Sequence, residues 1–134
     1  MRTPLRSLLR PVFGLVLLLA TLKAAVAAHT GLGRERIVLG NGSNDLLDMA
    51  ARVFLAPGRS TVFSQHAFAV YPLASLSVGA ALIAVPAKDF GHDLDAMRAA
   101  VRPDTRLIWI ANPNNPTGTF IPYPQLKAFM QSVP

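Results

Sequence analysis

From Arg36 onward, short apolar runs alternate with stretches in which apolar residues return every three or four positions, and Gly, Pro and Asn stand between them. Arg36–Leu39 reads as a short buried strand closed by Gly40-Asn41-Gly42. A helix is predicted from about Asn44, because Leu46, Leu47, Ala50, Ala51 and Phe54 share one helical face and Ser43 or Asn44 supplies an N-cap. Pro57-Gly58 ends it. Thr61–Phe63 is the next predicted strand and Val70–Ala80, closing at Gly79, the next helix. Ala81–Val85 follows as a strand, Asp93–Val101 as a helix, Arg106–Ala111 as a strand and Tyr123–Ser132 as a last helix. Runs apolar on both faces and separated by helices predict an α/β fold, a mostly parallel sheet with flanking helices.

The first 28 residues follow a different pattern, and the sequence predicts a boundary there: a basic and apolar segment over 1–28, and one domain over 29–134. Arg2, Arg6 and Arg10 precede the apolar run Val12–Ala20, and small residues occupy Ala24–Ala28. That is the layout of a secretory signal. Read the other way, Val16–His29 is a helix with Leu18, Leu22, Ala25 and Ala28 on one face, ended by Gly31. Both readings stay open, and with them an exported or a cytoplasmic location. A membrane span is not expected, since Lys23 interrupts the run short of the ~20 apolar residues a bilayer requires.

Charge changes the picture less than its total suggests. The chain of 134 residues has 13 Lys and Arg against 7 Asp and Glu, a formal net charge of +6. Six of the basic groups and one acid lie in residues 1–36, so the remainder holds seven basic groups against six acids. With one Trp, two Tyr and seven Phe that do not interleave with the basic residues, no platform for stacking bases is present, and a nucleic-acid partner is not expected. The absence of cysteine excludes disulfides, thiolate nucleophiles and Cys-ligated metals, and no metal site is expected.

Two loops concentrate chemistry, and both follow predicted strands, where open α/β sheets place ligands. Gly40-Asn41-Gly42-Ser43-Asn44-Asp45 allows a tight turn into a helix whose first N–H groups suit a phosphate, although an ordinary strand-to-helix turn has the same composition. Asn112-Pro113-Asn114-Asn115-Pro116-Thr117-Gly118 is more specific. Two prolines flank two amides, so a side-chain NH2 can be offered to a ligand oxygen from a fixed position.

The second loop resembles the signature of fold-type I pyridoxal-phosphate-dependent aminotransferases of class I/II. Together with Gly40–Asp45 and Ser64-Gln65-His66-Ala67-Phe68-Ala69-Val70-Tyr71 in the same order and spacing, it makes Arg36–Pro134 similar to the histidinol-phosphate aminotransferase subgroup. The resemblance implies part of the large domain of the aspartate aminotransferase-like fold, truncated at its C-terminal side. It also implies pyridoxal 5′-phosphate as cofactor, small-molecule amino-acid or phosphate substrates, and homodimers. Carried onto this chain, it implies that Ser43 and Asn44 meet the cofactor phosphate through their backbone N–H groups. Phe68 takes the place of the ring that stacks on the pyridine, with a core phenylalanine as the alternative, and Asn115 bonds the ring hydroxyl oxygen. Asn114, Thr117 and Gly118 shape the loop. Tyr71 and His66 are read as packing or surface residues. Leu22–Leu32 resembles the family's helix before its first strand.

The family's covalent lysine, its acid against the pyridine nitrogen and its substrate-binding arginine lie beyond the residues matched here. Lys23, Lys88 and Lys127 stand in none of that lysine's context, so no catalytic residue is assigned. The expectation is a piece of a histidinol-phosphate:2-oxoglutarate transaminase of histidine biosynthesis that is inactive alone and marginally stable. The alternatives are a non-catalytic phosphate-binding or exported remnant, and an aromatic or other amino-acid aminotransferase.

Overall fold

The computed structural model describes residues 5–134, with side chains from Val16 onward. Arg2 therefore lies outside the described residues, as do the side chains of Arg6, Arg10 and residues 12–15 of the signal-like run. The chain divides into two compact units, residues 1–42 and 43–134.

In the first unit, helix α1 spans Leu5–Thr30, longer than the Val16–His29 helix of the sequence reading. It ends where the Gly31 N–H donates to the Ala27 carbonyl at 2.9 Å. A 3₁₀ turn over Arg34–Arg36 follows, and Arg34 Nη2 donates back to the Ala20 carbonyl at 3.3 Å. The predicted strand Arg36–Leu39 is a correction. Arg36 closes the turn by donating to the Gly33 carbonyl, and although Ile37 is extended and buried, Val38 is 66% exposed and the segment joins no sheet. A local apolar run favours extended backbone, but a strand also needs a neighbour to pair with.

The second unit begins with α2 (Ser43–Phe54) and continues β1 (Ser60–Ser64), α3 (Val70–Ser77), β2 (Ala81–Val85), α4 (Leu94–Ala99), β3 (Thr105–Trp109) and α5 (Tyr123–Ser132). Its sheet is parallel, in the order β2-β1-β3. β1 pairs Ser60–Ser64 with Ala81–Val85, while against β3 it pairs Ser60 with Thr105 and Thr61 with Leu107, a bulge that skips Arg106. The skipped residue is the exposed cation, so the bulge keeps it out of the ladder.

β1 is buried along its whole length, polar residues included. Each hydroxyl is satisfied there, Ser60 by Thr105 Oγ1 at 2.9 Å, Thr61 by the Leu107 carbonyl at 3.0 Å and Ser64 by the Gly91 carbonyl at 3.3 Å. Apolar side chains cover it on two sides. Ala51, Leu55, Phe63, Tyr71, Ala74, Ala80 and Trp109 form one cluster, and Val62, Val85, Met97 and Phe129 form another. β2 and β3 are the sheet's edges and stay partly exposed. Helix ends follow capping chemistry. Asp93, predicted as the first residue of α4, is instead its N-cap, its carboxylate accepting from the Ala96 N–H at 3.0 Å.

Candidate functional site

In a parallel sheet every strand delivers the chain to the same edge, so the loops after β1 and β3 emerge side by side. Phe68 lies in the first of these loops and Asn115 in the second. One buried side chain ties them together. Asn114, 3% exposed, donates through Nδ2 to the His66 carbonyl at 3.0 Å and to Thr117 Oγ1 at 2.8 Å. Its backbone closes the turn as well, the N–H donating to the Thr119 carbonyl and the carbonyl accepting from the Gly118 N–H, both at 2.8 Å. Gly118 has a φ of 74°, a value that few residues other than glycine adopt without strain.

Asn112 works in the same way at the loop's base. Its Nδ2 donates to the Ile121 carbonyl and its Oδ1 accepts from the Ile121 N–H, both at 2.8 Å, so the amide imitates a strand partner. The Asn112–Pro113 and Asn115–Pro116 peptide bonds are cis. Held by its neighbours on either side, Asn115 is exposed, and its side chain makes no hydrogen bond among the described residues. That division of labour leaves one amide of the loop uncommitted among the described residues.

Phe68 is half-buried and meets Tyr71 edge to face at 5.9 Å. Tyr71 in turn stacks flat on Trp109 at 4.9 Å, and Trp109 Nε1 donates to Ser75 Oγ at 3.3 Å while that hydroxyl donates to the Tyr71 carbonyl at 2.7 Å. The ring predicted to stack on a ligand therefore stands on a ladder of two buried aromatics. Burial raises the Tyr71 hydroxyl pKa above its ordinary 10.0.

Ser43 and Asn44 open α2, where the first amides of any helix have no acceptor inside it. Both are exposed, and Gly42 just before them has a φ of 86°. Leu47, one turn further on, packs against the cluster that holds Tyr71 and Trp109. Aromatic ladder and helix start thus share one core.

Other residues stand apart from this group. A cleft of about 510 Å³ is lined by Lys88, His92, Asp93, Asp95, Thr119 and Gln125 among others, and none of Ser43, Asn44, Phe68 or Asn115 reaches it. At its wall His92 Nε2 donates to the Ala111 carbonyl at 3.0 Å. Lys127 is exposed on α5, and Lys23 belongs to α1. Sequence reasoning gave no role to Asn112, Ser75 or His92, because each has a partner nine or more residues away along the chain. Read as a packing or surface residue, Tyr71 is buried in the ladder. His66 stacks on Phe90 at 5.6 Å.

Comparison with known proteins extends the geometry. The family model described as aminotransferase class I and II matches residues 12–134. Over 111 residues the chain is 70% identical to histidinol-phosphate aminotransferase 1 of Dechloromonas aromatica, a stretch covering 83% of this chain and 31% of the relative. It is 63% identical over 113 residues to histidinol-phosphate aminotransferase 1 of Thiobacillus denitrificans, covering 84% and 29%. The chain spans about 30% of the length of these curated relatives. Among solved structures, the histidinol-phosphate aminotransferase of Sinorhizobium meliloti in complex with pyridoxal-5′-phosphate superposes with a TM-score of 0.80 at 32% identity, over 86% of this chain and 32% of that one. The aspartate aminotransferase of Thermus thermophilus with maleate gives 0.76 at 23% identity over 83% and 31%, a likeness of fold. The parallel three-stranded sheet with its flanking helices is accordingly part of the aspartate aminotransferase-like fold. With the family match running over most of its length, the chain belongs to the class I and II aminotransferases.

Proposed function

We propose that these residues form the cofactor-facing part of a transaminase that moves an amino group between L-histidinol phosphate and 2-oxoglutarate, with pyridoxal phosphate as cofactor. The observation that carries this reading is the Asn114 cross-link, which holds the Phe68 and Asn115 loops at one sheet edge and leaves the Asn115 amide uncommitted. The donor set suits the cofactor. Backbone N–H groups of Ser43 and Asn44 would hold its phosphate, with the helix dipole favouring the negative charge. The Asn115 Nδ2 would donate to the ring hydroxyl oxygen. Phe68, steadied by Tyr71, would cover one face of the ring and keep water from it. When bound, pyridoxal phosphate supplies a conjugated ring that draws electrons from the bond being broken. The substrate class is supported by the 70% and 63% identities to histidinol-phosphate aminotransferases.

In this reading the chain binds the cofactor reversibly and does not turn over alone. Titration with pyridoxal phosphate, followed by borohydride reduction and peptide mapping, is expected to give binding that weakens in Asn115→Ala and Phe68→Ala, with no single-lysine adduct. A stoichiometric adduct at Lys88 or Lys127 overturns the assignment of residues. For the intact parent, faster turnover with L-histidinol phosphate than with phenylalanine is expected; the reverse order replaces the substrate.

A further inference from the structure

The segment between β2 and α4 passes the end of β1 to reach the Asn-rich loop, and the transaminase reading gives it no part. Ser64 Oγ, on the last residue of β1, donates to the Gly91 carbonyl at 3.3 Å. The next residue, His92, bonds through Nε2 to the carbonyl of Ala111, just before Asn112, at 3.0 Å. A carbonyl can only accept, so the ring proton lies on Nε2. Between these two bonds the Gly91 backbone rests against Thr119: a Cβ on Gly91 would stand 3.2 Å from Thr119 Oγ1 and 3.4 Å from its Cβ. Two successive residues therefore touch the end of β1, the entry to the Asn-rich loop and its closing side.

This strap is not built for stability. His92 Nδ1 is buried and has no hydrogen-bond partner among the described residues, a cost that a leucine of similar size would not carry. Just before it, Asp89 and Phe90 both take positive φ, 49° and 60°. They form a turn closed by reciprocal backbone bonds, from the Lys88 N–H at 3.3 Å and the Gly91 N–H at 2.8 Å. Left-handed backbone strains a bulky residue such as phenylalanine most. A strained turn that delivers an imidazole to one carbonyl, while its other nitrogen stays unpaired, does more than connect β2 to α4.

We propose that Gly91 and His92 are positioning residues, holding the Asn-rich loop from the β2 side and so fixing where Asn115 stands. What Asn115 meets there rests on the transaminase reading; where it stands rests on these contacts. His92 acts through Ala111, one bond away from the Asn112 amide that pairs with Ile121. Gly91 acts through Thr119, whose carbonyl accepts from the Asn114 N–H and whose hydroxyl meets Thr117 Oγ1 at 3.1 Å. Neither residue touches Asn115, so each would act on a ligand only by placing that amide.

The test compares His92→Leu, which keeps the bulk and removes the donor, with His92→Gln, whose Nε2 keeps an N–H as many bonds from Cβ. Each is read twice, by hydrogen exchange at the Asn114, Gly118 and Ile121 amides that close the loop and by pyridoxal phosphate affinity from absorbance. In His92→Leu, exchange at these amides should quicken roughly tenfold and affinity fall about fivefold. Urea unfolding should stay near that of the parent, because the unpaired Nδ1 goes with the donor. His92→Gln should bring both readouts back to within about twofold of the parent. Gly91→Ala should also weaken affinity, and by less in a Thr119→Ala background, where the added methyl has room. Unchanged exchange in His92→Leu overturns the proposal, whether or not the cofactor binds. So does an equal loss in His92→Leu and His92→Gln, which would make the imidazole a packing residue. A parent chain that binds no pyridoxal phosphate removes the transaminase reading; quickened exchange in His92→Leu, reversed in His92→Gln, would still uphold the placing of Asn115 by the strap.

Discussion

Asn112 and Asn114 turn their amides inward, whereas Ser43 and Asn44 have no side-chain bond among the described residues to give up. In the loop after β3, six hydrogen bonds made by these two amides and by the Asn114 and Gly118 backbone fix where Asn115 stands. At the start of α2 the donors are backbone N–H groups, positioned by the helix itself. In the proposed reading, one region offers a ligand a side chain and must build a scaffold for it. The other offers main chain, and its scaffold is the packing of Leu47 and Ala51 one and two turns away. Substitutions should therefore separate the two. In the Asn-rich loop, changes to the scaffold cost stability and changes to Asn115 cost binding; at the helix start, side-chain changes should cost little of either.

The largest effect is expected at Asn114. Asn114→Ala removes two side-chain hydrogen bonds of a buried residue and leaves the partly buried His66 carbonyl without its donor, for a loss of about 3 kcal/mol in urea unfolding. Cofactor affinity should fall with it. An unfolding midpoint unchanged from the parent would show that the two loops are held by something other than this side chain. Asn112→Ala comes next at about 2 kcal/mol, since Ile121 loses a donor and an acceptor but Asn112 is itself less buried than Asn114. The comparison sharpens if the two losses fail to add, because both residues anchor one loop.

Asn115→Ala should behave in the opposite way. Its side chain is exposed and bonded to nothing among the described residues, so stability should stay within about 0.5 kcal/mol, while pyridoxal phosphate affinity measured by absorbance falls roughly tenfold. A stability loss equal to that of Asn112→Ala would put Asn115 in the scaffold and remove it from the site. Ser43→Ala should be smaller still, within about twofold in affinity, because the backbone N–H survives the change. A tenfold loss there would mean that the hydroxyl, and not the main chain, meets the phosphate.

The same contrast explains what could be read from the sequence. β2 and α5 match their predicted bounds, Ala81–Val85 and Tyr123–Ser132, because Gly79 and Pro86 bracket the first and Pro122 opens the second. Those are local signals. Arg36–Leu39 carries an equally apolar local pattern, yet whether a strand forms there depends on a neighbour that four residues cannot specify. The reading of Asn115 as a ligand-facing amide rests on resemblance. The roles of Asn112 and Asn114 rest on Ile121 and on His66, 48 residues earlier in the chain, and no spacing rule reaches that far. Phe68 shows the intermediate case. Its place after β1 could be read, but its support by Tyr71 and Trp109 joins α3 to β3, and that is a matter of tertiary packing.

The ladder beneath Phe68 gives a sign to check. Burial stabilises the neutral Tyr71 hydroxyl, so the folded-state pKa lies above the ordinary 10.0 that the unfolded chain retains. The unfolded chain then gives up its proton first as pH rises. Stability from this group is fully present below pH 10.0 and is lost as pH climbs through the higher folded value. Urea unfolding of the parent chain should thus weaken above that point, and Tyr71→Phe should remove this part of the decline. Since phenylalanine keeps a ring on Trp109 and toward Phe68, cofactor affinity at neutral pH should stay near that of the parent. Tyr71→Leu, which removes the ring, should weaken it by a fewfold without touching Asn115. If Tyr71→Phe weakens binding as much as Tyr71→Leu does, the hydroxyl matters to the cofactor directly and the ladder is more than a support. If neither does, Phe68 holds its position without the ladder, and the aromatic region resembles the helix start, where local structure alone sets the donor.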